Sequence, residues 1–583
     1  MAAKGTVQDF SVAIRPFRSV FVTVVLLSAV LNVLLLAGSF YMMLVYDSVL
    51  PSRSIPTLVG LLGMVTMAYL FQAWFDNMRA SLLAHVANGL DQALSRRVQT
   101  AMSQVALSSR QQLGDGLSPM RDLDQIRSFV GGTGVATLID LPWIVFFLAV
   151  LFALHAWLGI TTLIGALILL GLTFVTNRVT KGPSATLHQM AAVRNAVAEG
   201  NLRHAELFTA LGMRERMQDR WERINQDYVA LSNRATRQAA KLGGLSKVFR
   251  LLLQSVILTV GALLVIDGKA SGGVIFASSI LSGRALAPVD QAIANWRGFV
   301  GARQGWARLS NLFGHVPERR DVATRLPAPV GVLDVEGLFV GPPGAARPTL
   351  LGAQFRLHAG DALGLIGPSG AGKTTLGRAV IGVWQPQAGT VRLDGAALDQ
   401  WAPADLGRAI GYLPQTVELI AGTVAQNIAR FDPAPMSEAV IAAAQAAGVH
   451  TLITGLPEGY DTLLSDEGRE LSAGQRQRIG LARALYGDPF LVVLDEPNSN
   501  LDAEGEAALA QAIAGVRARG GVLIVIAHRS SVLGQVNKLM YLSDGRIQLF
   551  GPRDQVLERM RGSTGEATVE PLKAEPILKE VGR

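Results

Sequence analysis

Six long apolar stretches in the first part of the chain constrain its fold more than any other feature of the sequence. Each approaches the roughly 20 residues that an α-helix needs to cross a bilayer. Six buried core helices of a soluble protein are the alternative, but such helices need a polar face, and FVTVVLLSAVLNVLLLAGSF has no charged residue. We therefore predict an α-helical transmembrane domain over residues 1–310, with six spans at about 21–46, 55–75, 136–154, 157–177, 251–267 and 272–293.

The charges beside these stretches predict the orientation of the chain in a membrane. Lys4, Arg15 and Arg18 precede the first stretch, and the long segments 76–130 and 178–250 are rich in Lys and Arg. Because positively charged segments stay in the cytoplasm, we expect both termini to be cytoplasmic and the short linkers to lie on the far side. The first stretch lacks a small-residue cleavage site, so we interpret it as a retained span and not as a removed signal peptide.

Composition excludes several classes of function. A mean hydropathy of +0.32 and a charged fraction of 17% are too apolar for an ordinary soluble enzyme. Most of the net charge of +8 lies beside the predicted spans, where anionic lipid attracts it, and no basic and aromatic alternation indicates binding to nucleic acid. The chain has no cysteine, which excludes disulfides, thiolate metal sites and cysteine nucleophiles. Membrane lipid is therefore an expected partner, and nucleic acid is not.

The glycine-rich sequence GPSGAGKTT predicts a phosphate site in the second part of the chain. The apolar run before it is typical of a buried strand and the run after it of a helix, so backbone N–H groups and a helix N-terminus would face an anion. Lys373 is expected to bridge the outer phosphates, and the Thr374 hydroxyl to bind Mg²⁺. A glycine-rich turn that ends in Lys-Thr by chance is the alternative. The predicted nucleotide-binding residues of the loop are Gly367, Pro368, Ser369, Gly370, Ala371, Gly372, Lys373, Thr374 and Thr375.

The stretch LVVLDEP, about 120 residues after the phosphate loop, is typical of a second buried strand that ends in two carboxylates. We expect Asp495 to hold Mg²⁺ through water and Glu496 to polarise a water that attacks the γ-phosphate. Strand and helix patterns alternate from about residue 328, which predicts an α/β P-loop ATPase domain with a largely parallel sheet over 328–558. Residues 559–583 are polar and of mixed charge, and we expect this tail to be disordered.

The stretch ELSAGQRQRIGLARAL places small residues before an Arg-rich amphipathic helix, an arrangement suited to close backbone approach to phosphate. With the two preceding motifs, it resembles the ATP-binding cassette (ABC) transporters. The resemblance implies that ATP and Mg²⁺ are bound. It assigns the family's signature motif, which contributes to the nucleotide site, to Leu471, Ser472, Ala473, Gly474 and Gln475.

Three further residues match ABC motifs in the expected order. The resemblance implies that Gln415 in GYLPQ senses the metal and contacts the membrane domain, that Asp502 in SNLD belongs to the D-loop, and that His528 in IVIAHR steadies the γ-phosphate. It thus gives catalytic roles to Glu496, His528, Gln415 and Lys373, and metal contacts to Thr374, Gln415 and Asp495.

One stretch departs from the ABC pattern. Members of the family usually stack adenine on an aromatic residue upstream of the P-loop, but Pro342 occupies that place in GLFVGPPGA, with Phe339 nearby. Trp401 lies outside the expected position. We therefore expect weak recognition of the base, which puts selectivity for ATP over GTP in doubt.

Six spans followed by the cassette resemble the exporter arrangement. Local stretches in both parts also resemble type I secretion permease/ATPases that export proteases and other glycine-rich-repeat proteins: YDSVLPSRSIPTL, MRDLDQIRSFV, IDLPWIVFFLAVLFALH, AELFTALGMRERMQDRW, GYLPQTVELIAGTVAQNIARF and LDEPNSNLD. The resemblance implies a head-to-tail homodimer with two composite ATP sites in a bacterial inner membrane. It also implies an unfolded polypeptide substrate with an uncleaved C-terminal signal, a periplasmic adaptor protein and an outer-membrane channel.

Two other functions remain open at this point. An ABC exporter of lipid or small amphiphiles is the alternative within transport. A membrane-anchored ATPase scaffold that moves nothing is the alternative outside it, although every catalytic position is intact.

The membrane part contains further candidates. Segments 108–121 and 205–216 are candidate coupling helices, with solvated amphipathic helices as the alternative. Asp140, Arg284 and Asp290 are ionisable residues in or beside spans, so each could line the transport pathway, with Pro288 kinking the sixth span. Anchoring at the membrane interface is the alternative for each of the three.

Overall fold

A computed structural model of the chain describes residues 15–108, 118–316, 325–345, 347–465, 468, 470–527 and 530–563. The chain divides into two compact units, one of Met1–Ala106 with Gln111–Glu318 and the other of Leu107–Arg110 with Arg319–Arg583. The break after Glu318 falls between the predicted end of the membrane domain at residue 310 and the predicted start of the ATPase domain at residue 328. The tail was predicted to be disordered from residue 559, but residues 559–563 form the end of a helix, Arg553–Ser563, and the remainder from 564 onward lies outside the described residues.

Among the described residues of the first unit, all regular secondary structure is helical. A short 3₁₀ turn at Arg15–Phe17 precedes the first α-helix, and a π-helical turn at Val45–Val49 interrupts the first span. The helices are α1 (Arg18–Leu34), α2 (Ala37–Leu44), α3 (Leu50–Ser52), α4 (Ile55–Ser108), α5 (Ser118–Gly131), α6 (Thr133–Asp140), α7 (Trp143–Leu154), α8 (Ala156–Arg203), α9 (Ala205–Ala210), α10 (Arg214–Ile266) and α11 (Gly272–His315).

Among the described residues, five helical segments are long and apolar enough to cross a membrane, and a bent pair of helices makes a sixth candidate. Several helices are much longer than a span: α4 has 54 residues, or about 81 Å at 1.5 Å per residue, against a hydrocarbon core of about 30 Å. The long helices therefore continue well beyond the apolar stretches that predicted them.

Two spans differ in shape from the prediction. The first continues through the π-helical turn to Ser52, beyond the predicted end at residue 46. The third, predicted as one helix over 136–154, is broken into α6 and α7, which are bent by 43°. Pro142 stands at the break, where its missing N–H and ring cannot continue a regular helix. By contrast, α11 continues through Pro288 to His315.

The second unit alternates strands and helices. Its strands are β1 (Val332–Val340), β2 (Leu350–His358), β3 (Ala362–Ile366), β4 (Ala388–Leu393), β5 (Ala396–Ala397), β6 (Ile410–Leu413), β7 (Gly422–Thr423), β8 (Leu463–Leu464), β9 (Leu491–Asp495), β10 (Val522–Ile526), β11 (Lys538–Ser543) and β12 (Arg546–Pro552). Its helices are α12 (Lys373–Val380), α13 (Pro403–Ala409), α14 (Val424–Ile428), α15 (Ser437–Ala446), α16 (His450–Thr454), α17 (Ala473–Leu485), α18 (Ala503–Ala518), α19 (Ser530–Leu533) and α20 (Arg553–Ser563).

In the part of this unit that the structure describes, the main sheet has the order β12-β11-β3-β10-β9-β6. All neighbouring pairs are parallel except β11 with β12. A second, antiparallel sheet has the order β2-β1-β4-β5. Strands β3, β9 and β10 are almost wholly buried because apolar side chains cover both faces of the main sheet. The predicted fold class, a helical membrane domain followed by a largely parallel α/β domain, is confirmed.

Candidate functional site

The glycine-rich loop follows β3, an interior strand of the main sheet, and leads directly into α12. Gly367 has a φ of 152°, and a Cβ there would lie 2.0 Å from the carbonyl oxygen of Leu542. The neighbouring strand therefore leaves no room for any other residue at the start of the loop. Pro368, Ser369 and Gly370 are exposed, so the crest of the loop is open to a ligand.

Lys373 begins α12 and turns its ammonium back into the loop. The residue is 7% exposed, and Nζ donates to the carbonyl oxygens of Gly367 and Pro368 at 2.8 and 2.9 Å. Burial lowers the pKa of the Lys373 ammonium, although the charges of Glu496 and Asp495 oppose that effect. A phosphate in this loop would offer the same ammonium a charged acceptor, which forms a stronger hydrogen bond than a neutral carbonyl.

Asp495 ends β9 and faces the start of α12. The residue is 2% exposed, and its Oδ1 accepts a long hydrogen bond of 3.4 Å from the Thr374 hydroxyl. Burial raises the pKa of the Asp495 carboxyl, the Thr374 hydrogen bond opposes this, and the nearby Glu496 charge adds to it. A buried carboxylate destabilised in this way, beside a hydroxyl oxygen, is a donor set that suits a hard cation such as Mg²⁺.

Glu496 lies just past the end of β9 in a left-handed conformation, with φ of 50°. Its N–H donates to the carbonyl oxygen of Ile526 at 2.9 Å, which ties it to the end of the adjacent strand β10. A non-glycine residue held in this conformation costs of order 1 kcal/mol, a cost often found where a side chain must be aimed at a site. The side chain is half-buried and lies near Lys373, whose pKa it affects.

The predicted signature motif forms the N-terminus of α17. Ser472 is the N-cap: its hydroxyl accepts from the Gln475 N–H at 3.2 Å, and the Gln475 side chain accepts from the Ser472 N–H at 2.8 Å. This reciprocal capping explains the spacing of the two residues. A Cβ on Gly474 would lie 2.8 Å from the carbonyl oxygen of Asn500, so glycine permits close contact with the turn after β9. Ser472 and Ala473 are exposed.

Gln477, which was not predicted from the sequence, joins α17 to that same turn. Its amide nitrogen donates to the carbonyl oxygens of Glu496 and Pro497 at 3.2 and 2.6 Å, and its amide oxygen accepts from the Asn500 N–H at 3.2 Å. Gln477 is buried, so these contacts are shielded from water. A glutamine on the otherwise apolar face of a predicted amphipathic helix was the signal available in the sequence.

Asp502 caps the next helix, α18. Its carboxylate accepts from the Gly505 N–H at 2.9 Å and from the Arg478 guanidinium of α17, and these two hydrogen bonds lower the pKa of the Asp502 carboxyl. The carboxylate also remains largely exposed. Within one protomer its observed contacts are those of a helix cap.

Arg430 is a second residue that was not predicted from the sequence. Its guanidinium donates to four carbonyl oxygens and joins the C-terminus of α17 to the start of β6: Arg483 at 2.9 Å, Ala484 at 3.1 Å, Gly407 at 2.7 Å and Ile410 at 3.0 Å. Carbonyls at a helix C-terminus lack intrahelical partners, so a cation there is stabilising. Arg430 thereby links the signature helix to the strand that leads to Gln415.

The remaining predicted residues are placed as follows. Gln415 lies in the loop after β6 with its side chain exposed, and β6 runs beside β9, so the residue lies on the Asp495 side of the sheet. His528 follows β10 but lies outside the described residues. Pro342 lies in a turn after β1, where its carbonyl accepts from the Ala345 N–H at 3.0 Å. Trp401 is buried in the core beside the second sheet, away from solvent.

The three ionisable candidates in the first unit, which we call the membrane unit, have different environments. Asp140 accepts from Arg79 at 2.9 Å and from Asn32 at 3.0 Å, in a partly buried group that joins α1, α4 and α6. Asp290 accepts from Arg250 at 2.6 Å, which joins α10 to α11. Arg284 is exposed on α11. The two acidic residues therefore connect helices, whereas Arg284 is available for other contacts.

Family models match both parts of the chain: the ABC transporter transmembrane region matches residues 21–288, and the ABC transporter model matches residues 350–499. The type I secretion system ATP-binding protein PrsD of Rhizobium meliloti is 51% identical over 555 residues, which cover 95% of each chain. The cyclolysin secretion/processing ATP-binding protein CyaB of Bordetella pertussis is 29% identical, covering 94% of this chain and 77% of that protein.

One further relative and one solved structure agree with these matches. The leukotoxin translocation ATP-binding protein LktB of Mannheimia haemolytica is 28% identical, covering 95% of this chain and 78% of that protein. A solved structure of a bacterial Atm1-family ABC exporter with ATP bound has a TM-score of 0.79 at 20% identity, covering 95% of this chain and 99% of that one. At that identity the structural similarity bears on the fold alone.

Proposed function

This chain belongs to the ABC transporter family, with a membrane region and an ATPase on one polypeptide, and from that premise we propose that it is the ATP-driven, inner-membrane component of a type I secretion system that exports unfolded polypeptides. The observation that carries the proposal is the 51% identity to PrsD over 95% of both chains. The glycine-rich loop, the acidic strand end and the signature helix are the parts that ATP hydrolysis requires.

The hydrolytic step uses residues with separate tasks. Lys373 and the loop N–H groups would hold the phosphates, and Thr374 and Asp495, which lie side by side, would hold Mg²⁺. Bound Mg²⁺ supplies charge neutralisation on the phosphate oxygens. Glu496, aimed by its left-handed backbone, accepts a proton from the attacking water. Gln415 and His528 complete the site as a sensor of the metal and a contact to the γ-phosphate.

The ATP sites form between two copies of the chain arranged head to tail. The crest of the phosphate loop, Pro368–Gly370, and the start of the signature helix, Ser472 and Ala473, are all exposed in one protomer. Each chain therefore presents both halves of a site to solvent. A two-fold dimer would pair each loop with the partner's signature and make two equivalent sites.

Coupling of ATP use to the membrane is assigned to the cytoplasmic segments 108–121 and 205–216. The second contains α9, which is followed by a turn with Gly212 at φ of 62°. Leu207 and Leu211 are exposed there, outside the apolar spans, as expected for a segment that docks on a protein surface. Residues 109–117 of the first segment lie outside the described residues.

The transported molecule is a polypeptide with an uncleaved C-terminal signal, of the glycine-rich-repeat type, and it passes to a periplasmic adaptor and an outer-membrane channel. The chain crosses the inner membrane several times, and both termini are cytoplasmic in this proposal. The Lys and Arg residues of α8 and α10 beside their apolar spans support that orientation.

The proposed function is tested by the ATPase rate of the purified protein in lipid nanodiscs, with C-terminal fragments of repeat-rich proteins from the same genome. We expect one fragment to change the rate at least about twofold and the same fragment without its last residues to have no effect, because the signal must be bound to alter closure of the dimer. A response to lipids or amphiphilic drugs, with none to any fragment, would instead support export of small amphiphiles.

Replacement of Pro342 tests recognition of the base. We expect Pro342→Tyr to lower the apparent KM for ATP more than that for GTP, by about three- to tenfold, because an aromatic ring in this turn would stack on adenine. Steady-state ATPase and GTPase assays measure the change, with Pro343→Tyr as the matched control in the same turn. An unchanged ratio of ATP to GTP would show that the base site is not underfilled.

A further inference from the structure

Arg284 lies at the centre of the sixth span. The apolar part of α11 runs from Gly272 to Trp296, so Arg284 is twelve residues from either end, or about 18 Å along the helix. That distance exceeds half of a hydrocarbon core of about 30 Å. A guanidinium facing lipid at this depth is strongly unfavourable, so charged residues at such positions usually face protein or a water-filled pathway.

The position of α11 within the membrane unit bears on whether Arg284 faces lipid, protein or a water-filled pathway. The helix packs against α2, α5, α6, α7, α8 and α10 and is the most buried of the candidate spans that form single helices. Between residues 276 and 298, its described exposed residues nevertheless fall on one face, at helical spacing: Phe276, Gly283, Arg284, Gln291, Ala294 and Gly298. We call this surface the open face of α11. A Cβ added at Gly283 would meet no atom within 4 Å, so there is free space beside Arg284.

No carboxylate lies on the open face to neutralise Arg284. Within the part of the chain that the structure describes, the Arg284 side chain makes no hydrogen bond or ion pair. The nearest acidic residue along α11, Asp290, is engaged by Arg250 at 2.6 Å. The guanidinium thus has five N–H donors and needs acceptors from another molecule.

We propose that Arg284 binds carboxylate and backbone carbonyl groups of the polypeptide during its passage through the membrane, an inference that rests on the proposed function. An extended polypeptide carries a carbonyl acceptor at every residue, and its Asp and Glu side chains match a guanidinium in charge and geometry. A second copy of the chain fits less well. Two open faces meeting across a two-fold axis would oppose Arg284 to itself, and like charges repel.

The absence of cysteine from the sequence permits a direct test. Arg284→Cys introduces a single thiol that can be modified with a methanethiosulfonate carrying either a trimethylammonium or a sulfonate group. Two synthetic peptides of equal length serve as probes. Each is a Gly/Ser segment, one with Asp and the other with Lys at every fourth position, joined to the same C-terminal fragment that stimulates the wild-type protein. The readout is the ATPase rate of the protein in nanodiscs as a function of peptide concentration.

We expect the Asp peptide to stimulate the wild-type protein at lower concentration than the Lys peptide. Arg284→Cys should weaken the response to the Asp peptide about tenfold to a hundredfold, the loss expected for one charge-assisted hydrogen bond. The trimethylammonium reagent should restore the response, and the sulfonate reagent should not. Lys247→Cys, at an exposed cation of α10 away from the open face, should respond to both peptides as the wild type does before and after modification.

Several results would overturn the inference. Failure of both reagents to modify the thiol of the Arg284→Cys variant would mean that the face is covered. A disulfide between two copies of that variant, formed without peptide, would identify the second copy as the cover. An unchanged Asp-peptide response in Arg284→Cys would overturn this inference alone. A wild-type protein that responds to neither peptide would overturn the proposed function as well.

Discussion

Glu496→Gln should abolish ATP turnover and leave ATP binding intact. Loss of a general base typically lowers kcat by about 10²- to 10⁴-fold, and the amide is nearly the same size as the carboxylate, so the site should keep its shape. The backbone of residue 496 is held by the Ile526 carbonyl and by Gln477, neither of which the substitution alters. A site that binds ATP but cannot cleave it should hold the dimer closed, seen as radiolabelled ATP retained through gel filtration.

Glu438→Gln is the matched control, because it makes the same chemical change at an exposed position in the first turn of α15. Its ATPase rate should equal that of the wild type. Hydrolysis by Glu496→Gln within about tenfold of the wild-type rate would remove Glu496 from the role of base and direct attention to another proton acceptor.

Asp140→Ala should destabilise the membrane unit by about 3–5 kcal/mol, the cost of leaving one partner of a buried ion pair uncompensated. The side chains of Arg79 and Asp140 are 15% and 14% exposed, and Asn32 and Ser28 complete the polar group around them. Removal of the carboxylate leaves the Arg79 charge between three helices without its buried counter-ion. Reversible unfolding of the protein in mixed micelles, followed by tryptophan fluorescence, measures the change.

Asp76 provides an internal comparison, since its carboxylate also binds Arg79, at 2.7 Å, but is 62% exposed. Asp76→Ala should cost no more than about 1 kcal/mol, as is typical of exposed ion pairs. The double variant Arg79→Leu with Asp140→Leu should recover most of the lost stability, because a buried pair can often be replaced by apolar residues. Equal effects of Asp140→Ala and Asp76→Ala would contradict the view that burial sets the cost.

The features predicted well from sequence are those encoded by local patterns. Apolar runs predicted six spans because a chain segment that crosses a bilayer must satisfy its backbone hydrogen bonds internally, which a long apolar run does as a helix. The glycine-rich loop was identified because Gly367 and Lys373 lie at a fixed spacing after a buried strand. The fold class and the family are confirmed by the sheet order and by the matches to known proteins. The assigned roles of the site residues stay predictions until variants are measured.

The features missed from sequence depend on contacts between distant segments. The partners of Asp140 lie 61 and 108 residues away, so nothing local distinguished a helix-joining carboxylate from one lining a pathway. Gln477 and Arg430 act through backbone carbonyls, which every residue has and no sequence pattern marks. The break at Pro142 was visible as a proline, but proline also occurs at position 288 within a continuous helix, so the residue type alone did not decide the outcome.

The hydrogen bonds between Gln477 and the turn at residues 496–500 have a consequence for communication between the two ATP sites of the proposed dimer. In the proposed head-to-tail arrangement, the signature helix of one protomer would complete one ATP site, while Glu496 of that same protomer would serve the other. Gln477 joins the two within a single chain through hydrogen bonds, so a shift of α17 at one site would be transmitted to the backbone that positions Glu496 at the opposite site. In that dimer, the two sites would be joined mechanically through each polypeptide, so that a change at one would reach the catalytic carboxylate of the other.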